Sequence, residues 1–152
     1  MMCVAMEEIE MESRLSLIPA MIEKLRSDPE LRLRIEEREA AFCVAVSEAL
    51  ANAVTHGNRN DPLRKVYIRC AFEPDALSIV IRDEGIGFNP ENVAAPKDVG
   101  EDRNRGIPLI RSCVDEIQFR NHGTEIYIRM NGRKPVTENL FMDRGCDGSR
   151  SI

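Results

Sequence analysis

The most constraining feature of this 152-residue sequence is an apolar stretch, FCVAVSEALANAVTHG, that runs from Phe42 to Gly57. At 3.6 residues per turn, one arc carries only apolar side chains and predicts a buried helix face. That arc consists of Phe42, Val46, Ala49, Leu50, Ala53 and Val54. A second arc carries a carboxylate and a carboxamide one turn apart, Glu48 and Asn52, flanked by alanines. A buried glutamate needs a partner, metal or ligand to offset its desolvation, so this polar pair requires an explanation.

Two interpretations of the polar pair are open. Glu48 and Asn52 are either ordinary surface residues of a helix, since glutamate is a good helix former, or parts of a reaction site. In the second case Asn52 offers its amide oxygen to a hard cation such as Mg2+, and Glu48 orients or deprotonates a nucleophile. The pair alone favours the first interpretation, because Glu-x-x-x-Asn occurs often by chance.

Length and charge narrow the class of protein. A chain of this length predicts one domain with a proper core. A net charge of −5 with 31% charged residues argues for a soluble protein and against direct binding to nucleic acid. The sequence has no apolar run near the roughly 20 residues of a membrane span, and its start does not resemble a signal peptide. We therefore expect a cytoplasmic protein with no membrane partner.

The cysteines do not predict a structural site. The five cysteines are an odd number, are widely scattered and include no C-x-x-C pair. We therefore expect reduced structural cysteines, with neither a disulfide framework nor a zinc site.

The periodicity of the remaining chain predicts a sheet with helices. Alternation within residues 7–18 predicts a first strand closed by Pro19, followed by a short helix from Ala20 to Arg26. The charged run from Glu30 to Glu39 predicts a solvated helix face leading into the central helix. Gly57, just beyond His56, predicts the end of that central helix.

Two hairpins follow the central helix. Residues 65–72 and 76–83 alternate and predict the first, and residues 116–120 and 124–130 predict the second, turned by Asn121-His122-Gly123. Between them, Ile107 to Asp115 predicts a helix with Pro108 in its first turn. These elements predict an α+β fold, with a mixed, mostly antiparallel sheet and helices packed on one face. Residues 1–130 would form a single domain, and residues 131–152 a polar, flexible tail.

Three further stretches carry candidate site residues. The first, Asp83-Glu84-Gly85-Ile86-Gly87, places a carboxylate at the mouth of a strand and lets a ligand approach the glycine backbone closely. Such a carboxylate can accept a hydrogen bond from an amino group such as that of adenine. A plain turn explains the same residues if they are taken alone.

The other two stretches frame the next helix. Asn89 to Asn104 lacks periodicity and predicts a lid or a disordered segment. It leads into Arg103-Asn104-Arg105-Gly106, where free backbone N–H groups at a helix start favour phosphate. The two arginines either add positive charge there or are solvated loop residues. Gly123-Thr124 opens the last strand with a hydroxyl able to share a hydrogen bond with a buried polar group.

Taken in order, these motifs resemble the Bergerat nucleotide-binding fold, a two-layer sandwich shared by the GHKL superfamily of gyrase, heat-shock chaperone, mismatch-repair and histidine-kinase ATPases. Each motif is weak alone, but four in sequence on the expected elements are a strong signal. Within the superfamily, the wording of residues 46–57 and 106–115 resembles the anti-sigma factor serine/threonine kinases of bacteria. The resemblance covers about residues 8–130.

The resemblance implies roles for individual residues and requires ATP and Mg2+ as cofactors. The implied roles are Glu48 as general base, Asn52 as Mg2+ ligand, Asp83 as acceptor of the adenine amino group, Gly85 and Gly87 as shapers of the base pocket, Arg105, Gly106 and Ile107 as phosphate binders, and Thr124 as support for Asp83 and adenine. Positioning and charge neutralisation of this kind suit phosphoryl transfer.

Two positions depart from the family pattern. Asn104-Arg105-Gly106 stands where the family usually has Gly-x-Gly, and Pro108 stands where an aromatic residue often follows. Asparagine also adopts the left-handed conformation, so we expect phosphate binding to survive the first departure. Lid flexibility and the kinase rate are the properties that these departures put in question.

The resemblance leads to three functional hypotheses. The first is an ATP-dependent serine kinase that sequesters a sigma factor, phosphorylates a STAS-type anti-anti-sigma protein and forms a homodimer. The second is a nucleotide-gated protein-binding module of the same fold that transfers no phosphate. The third, a detached catalytic domain of a histidine kinase, is disfavoured because the sequence shows no helical dimerisation segment with a phospho-acceptor histidine.

Overall fold

A six-stranded sheet forms one layer of the protein. The computed structural model describes residues 4–87 and 101–132, without the side chains of residues 101–105. The strands are β1 (Val4–Ala5), β2 (Ile9–Glu12), β3 (Lys65–Glu73), β4 (Ala76–Arg82), β5 (Glu116–Arg120) and β6 (Glu125–Asn131). Their order is β1-β3-β4-β6-β5, with β2 also paired to β3. Each pairing among the described strands is antiparallel, and both predicted hairpins are confirmed.

Strand β4 lies in the middle of this sheet. Ile81 pairs with Ile68 of β3 on one side and with Ile126 of β6 on the other. All three side chains are buried, as the period-2 alternation predicts. The end of β4 therefore brings Asp83 to the edge of the core, beside the start of β6.

Four helices form the second layer. They are α1 (Ile18–Arg26), α2 (Pro29–Ile35), α3 (Glu39–Asn52) and α4 (Glu101–Cys113). The predicted apolar face of α3 and of the turn after it is fully buried, from Phe42 to Val54, and it belongs to the same core as the inward side chains of the sheet. The predicted α+β architecture, with helices on one face of the sheet, is confirmed.

The first predicted strand is wrong in its second half. Strand β2 ends at Glu12, a 3-10 turn covers Leu15–Leu17, and α1 begins at Ile18. Pro19 lies in the first turn of α1, where its missing N–H has no helical partner to lose. It therefore opens a helix instead of closing a strand. The short strand β1 was not predicted, because two residues carry no readable period.

Helix α4 begins six residues before the predicted start at Ile107, so the predicted loop boundary is wrong. Its first residues, Glu101 and Asp102, are acidic and stabilise a helix N-terminus through the helix dipole. This signal competes with Gly106 and Pro108, which predict a later start. Both residues lie inside α4. The rest of the predicted loop, residues 89–100, lies outside the described residues.

A single arginine anchors the far end of α4. Arg38, just before α3, donates from Nη2 to the carbonyl of Cys113 at 3.1 Å and from Nη1 to Asp115 Oδ2 at 2.6 Å. Burial raises the pKa of Asp115, but hydrogen bonds from the Asn131 amide and from Arg38 outweigh it, so the net pKa is lowered. The C-terminus of α4 is thus fixed to the start of α3.

The last residues that the structure describes lie against the sheet. Strand β6 continues through Asn131, one residue into the predicted tail, and the Gly132 amide donates to the carbonyl of Asp75 at 2.5 Å. The remaining predicted tail, residues 133–152, lies outside the described residues. Among the helices that the structure describes, none has the length and apolar character needed to cross a bilayer.

Candidate functional site

The central helix changes pitch where it reaches the site. The α-helical part ends at Asn52, and residues Ala53–Gly57 continue as one π-helical turn. Single π turns of this kind are found often at functional sites. The helical segment ends at Gly57, close to the predicted stop, but it ends as a π turn and not with a left-handed glycine.

Gly57 is needed for space. An added Cβ would lie 2.2 Å from Asp83 Oδ2 and 2.3 Å from Asp83 Cγ. Its φ is not in the left-handed region, which the described glycines 87 and 123 occupy. The absence of a side chain at position 57 is what allows the Asp83 carboxylate to lie against the π turn.

The backbone fixes Asp83 on three sides, at a place that we call the Asp83 corner (Gly57, Asp83 and Gly85). The Asp83 amide donates to the carbonyl of Thr124 at 2.9 Å, and the Gly85 amide donates to Asp83 Oδ1 at 2.8 Å. An added Cβ on Gly85 would lie 2.1 Å from the carbonyl oxygen of Gly57. The half-buried carboxylate is thereby held at the end of β4, as predicted.

Two further predicted residues, Gly87 and Thr124, lie next to the Asp83 corner. Gly87 has φ +92°, and an added Cβ there would lie 2.1 Å from the carbonyl of His122. Thr124 supports Asp83 through its backbone carbonyl, whereas its hydroxyl donates to the carbonyl of Asn121 at 2.8 Å. The hydroxyl interaction that the sequence predicted for Thr124 is thus replaced by a backbone one in this structure.

The second part of the site is the Glu48 face (Glu48, Asn52 and Gly106). Glu48 and Asn52 are half-buried on α3. A Cβ on Gly106 would lie 3.3 Å from Asn52 Nδ2, 3.5 Å from Asn52 Oδ1 and 3.5 Å from Glu48 Oε1. A glycine of α4 therefore lies directly over both polar side chains, whose roles toward Mg2+ and the nucleophile stay predictions.

A small cavity joins these two parts. Its volume is about 30 Å³, which is room for about one or two water molecules. Residues that line it are Ala49, Asn52, Ala53, Ile81, Asp83, Ile107, Phe119, Gly123, Thr124 and Ile126. A purine is larger than this volume, and we therefore expect nucleotide binding to shift α4, which contributes Ile107 to the lining.

The predicted phosphate site has a different local structure from the one expected. Because α4 begins at Glu101, the Gly106 amide lies within the helix, where it bonds to the carbonyl four residues earlier. It is not one of the free amides of a helix start. The side chains of Arg103 and Arg105 lie outside the described residues. Phosphate binding by Arg105, Gly106 and Ile107 stays a prediction.

Sequence reasoning missed a buried polar cluster beneath the Asp83 corner. Asn58 is completely buried and Ser13 is 3% exposed, and both lie in segments that the sequence identified only as loop and strand. Periodicity does not reveal buried polar residues outside regular elements. The available sequence signal was the position of Asn58, a polar residue directly after Gly57 at the end of the central helix.

The neighbouring Glu84 is exposed, and its carboxylate is hydrogen-bonded to strand β3. Its carboxylate accepts from the Lys65 amide at 2.8 Å and from the Tyr67 hydroxyl at 2.9 Å. These hydrogen bonds, with the Lys65 amide contributing most, lower the pKa of Glu84. The residue after Asp83 is therefore fixed to strand β3.

Residues 12–130 match the model of the histidine kinase-like ATPase domain. The chain belongs to this family. The predicted GHKL resemblance is thereby confirmed, and a GHKL-type ATPase domain implies nucleotide binding. Within the described ranges, no group of three or more His, Cys, Asp or Glu side chains is arranged to hold a metal.

The curated relatives narrow the similarity further. The chain is 34% identical over 100 residues to the anti-sigma F factor of Oceanobacillus iheyensis, covering 60% of this chain and 68% of that protein. It is 35% identical over 92 residues to the anti-sigma F factor of a Geobacillus species, covering 55% and 63%. The chain thus spans about two thirds of the length of these relatives.

A solved structure was also found. The histidine kinase domain of the blue-light activated histidine kinase from Erythrobacter litoralis EL346 has a TM-score of 0.47 and 18% identity, with 78% of this chain and 62% of that chain covered.

Proposed function

We propose that this protein is a Mg2+- and ATP-dependent serine/threonine kinase of the anti-sigma factor type. In this proposal the protein acts in the cytoplasm as a homodimer, sequesters a sigma factor and phosphorylates a STAS-type anti-anti-sigma protein on serine. The observation that carries the proposal is the placement of Glu48 and Asn52 directly under Gly106, with Asn52 lining the same cavity as Asp83. Similarity to anti-sigma F factors supports the choice of partner class.

The base end of the site would recognise adenine. The carboxylate of Asp83 is held by backbone contacts, and it accepts hydrogen bonds only, which suits the exocyclic amino group of adenine. Gly85 and Gly87 would shape the pocket, because side chains at either position would collide with backbone carbonyls. Thr124 would support this arrangement through its carbonyl.

The reactive end of the site suits a metal bound mainly by phosphate. Mg2+ prefers oxygen ligands and usually keeps waters and substrate phosphates beside one or two protein oxygens. The amide oxygen of Asn52 is such a ligand, so the residues present fit the ion. When bound, Mg2+ would neutralise charge on the phosphates. Glu48, one turn before Asn52, would accept the proton of the attacking serine hydroxyl, and Arg105, Gly106 and Ile107 would contact the phosphates.

The nucleotide part of the proposal is tested by calorimetric titration with ATP, with and without Mg2+. We expect saturable, Mg2+-dependent binding that Asp83→Ala weakens by at least about tenfold, the value of a lost charged hydrogen bond. Asp75→Ala, in the turn between β3 and β4, is the matched control and should bind like the wild type. No binding of ATP by the wild type at millimolar concentration would overturn the proposal.

The kinase part is tested with Glu48→Ala and labelled ATP in the presence of a STAS-domain protein. We expect phosphorylation of serine to fall about 10²- to 10⁴-fold, as for a lost general base, while ATP affinity changes little. Glu37→Ala, an exposed glutamate before α3, should keep full activity. Undiminished partner function in Glu48→Ala, without phosphate transfer by the wild type, would favour the nucleotide-gated module instead.

A further inference from the structure

Asn58 is a buried polar residue that the proposed reaction does not use. It is 0% exposed, and Ser13 is the other buried polar residue in the described part of the chain. A buried carboxamide is costly unless its oxygen and nitrogen are both hydrogen-bonded. The partners of Asn58 therefore show what it holds in place.

The two ends of the Asn58 carboxamide contact different parts of the protein. Its Oδ1 accepts from the backbone amide of Glu84 at 2.7 Å. Its Nδ2 donates to Ser13 Oγ at 2.6 Å and to the carbonyl of Lys65 at 2.9 Å. The Glu84 amide can only donate and the Lys65 carbonyl can only accept, so these contacts fix the orientation of the carboxamide.

These contacts connect the edge of the sheet to the Asp83 corner. Ser13 follows β2 and its Oγ donates to the Arg64 carbonyl at 3.0 Å, so the Nδ2 end of Asn58 is tied to the edge of the sheet. The Oδ1 end is bonded to the residue directly after Asp83. Asn58 itself directly follows Gly57, the residue against which the Asp83 carboxylate lies.

We propose that Asn58 is a positioning residue that sets the selectivity of the site for adenine over guanine. It does so by fixing the Glu84 amide and the π turn, and thereby the direction of the Asp83 carboxylate between them. Adenine presents an amino group where guanine presents a carbonyl, so a carboxylate in the correct place attracts the first and repels the second. This inference rests on the proposed function, because it requires nucleotide binding at Asp83.

The test compares the dissociation constants of ATP and GTP for the wild type, Asn58→Ala and Ser13→Ala. A site built to hydrogen-bond one group rejects analogues that lack it, and a displaced carboxylate loses that rejection. We expect Asn58→Ala to lower the GTP-to-ATP ratio of dissociation constants by about tenfold or more, mainly through weaker ATP binding. Ser13→Ala removes two hydrogen bonds, from Asn58 Nδ2 and to the Arg64 carbonyl, and leaves the Glu84 contact in place, so it should lower the melting temperature but keep the ratio.

A purely structural role would give a different result. If Asn58→Ala and Ser13→Ala both lose stability while the nucleotide ratio stays at the wild-type value, Asn58 has no positioning role and the inference is overturned. If Asn58→Ala does not fold, Asn58→Ser replaces it, because its hydroxyl stays polar but ends one atom short of the Glu84 amide. The same loss of selectivity is expected.

The outcome also separates this inference from the proposed function. ATP binding by the wild type, together with its loss in Asp83→Ala, leaves the proposed function standing even where Asn58→Ala keeps full selectivity. Absence of ATP binding by the wild type overturns both. Amide hydrogen exchange at Glu84 gives a readout without nucleotide, since exchange should become faster in Asn58→Ala and stay slow in Ser13→Ala.

Discussion

The two parts of the site differ in how closely the backbone surrounds them. At the Asp83 corner, an added Cβ would lie 2.2 Å from the Asp83 carboxylate or 2.1 Å from the Gly57 carbonyl, so the carboxylate or the backbone would have to move. At the Glu48 face, the nearest atom to a Cβ on Gly106 is 3.3 Å away. The base end of the site is therefore built into the fold, whereas the reactive end has room for change.

This difference follows from which elements meet at each place. The Asp83 corner joins the central strand of the sheet to a π turn through the close approach of Gly57 to Asp83 and Gly85 and through the hydrogen bond from the Glu84 amide to Asn58 Oδ1. Neither element can shift without disturbing the core. The Glu48 face is a contact between two helices, α3 and α4, at which a glycine meets the ends of two side chains. We therefore expect substitutions at the corner to weaken ATP binding more than substitutions at the face.

The largest effect on ATP affinity is expected for Gly57→Ala. The new methyl group would occupy the position of the Asp83 carboxylate and force that side chain away from the π turn. We expect ATP affinity to fall at least as far as in Asp83→Ala, by about tenfold to a hundredfold, as measured by calorimetric titration. Circular dichroism should show that the helices and the sheet persist.

An exposed-site control makes this result specific. Ala40→Gly, in the first turn of α3 and exposed, reverses the same chemical change far from the corner and should bind ATP like the wild type. Normal ATP affinity in Gly57→Ala would show that the Asp83 carboxylate still binds adenine after it has moved. The contrast between a rigid corner and a tolerant face would then be wrong.

An intermediate effect is expected for Gly106→Ala. Alanine is more favourable than glycine inside a helix by up to about 1 kcal/mol, so the nucleotide-free protein should melt at a higher temperature. If α4 must open to admit ATP, the same free energy opposes binding and weakens it by about two- to fivefold. Thermal unfolding and calorimetry measure both quantities on one variant.

The ratio of the two changes decides how the reactive end works. A higher melting temperature with unchanged ATP affinity would show that α4 keeps its helical start in the nucleotide complex. A loss of affinity beyond about thirtyfold exceeds what helix propensity supplies, and would show that the methyl group blocks phosphate directly. Either result would replace the model of an opening helix.

The sequence predicted the fold where periodicity was strong. Strands β3 to β6 and the buried face of α3 follow from alternating or helical patterns, because one side of each element must be apolar. The predicted start of α4 was wrong because Gly106 and Pro108 indicate a later start more strongly than Glu101 and Asp102 indicate an earlier one. Local signals of comparable strength do not decide a helix boundary without the packing that surrounds it.

The site was predictable as a set of residues but not as a geometry. Motif order brought Asn52 and Asp83 together, and both line the same cavity. The role of Gly57 as a space for a carboxylate and the buried position of Asn58 depend on contacts between residues distant in the sequence. Neither contact leaves a periodic signal, so the structure was needed to find them.

The smallest expected effect is the pH dependence of stability that Glu84, next to the Asp83 corner, contributes. Hydrogen bonds from the Lys65 amide and the Tyr67 hydroxyl lower the pKa of Glu84 in the folded state. A group with a lowered folded pKa stabilises the protein above its ordinary pKa, about 4.3 for glutamate, and this contribution disappears as pH falls through the folded value. Glu84 is exposed, so solvent screening limits the contribution to roughly 0.2–1 kcal/mol.

The measurement compares the free energy of unfolding of the wild type and Glu84→Gln from neutral to acid pH. Glutamine keeps an acceptor oxygen but has no charge, so the wild type should be slightly more stable at neutral pH and the two should converge below about pH 4. Glu37→Gln, at an exposed glutamate before α3, is the control for the removal of one surface charge. A constant difference at all pH values would mean that Glu84 acts through shape alone, leaving Asn58 and the glycines to hold the Asp83 corner.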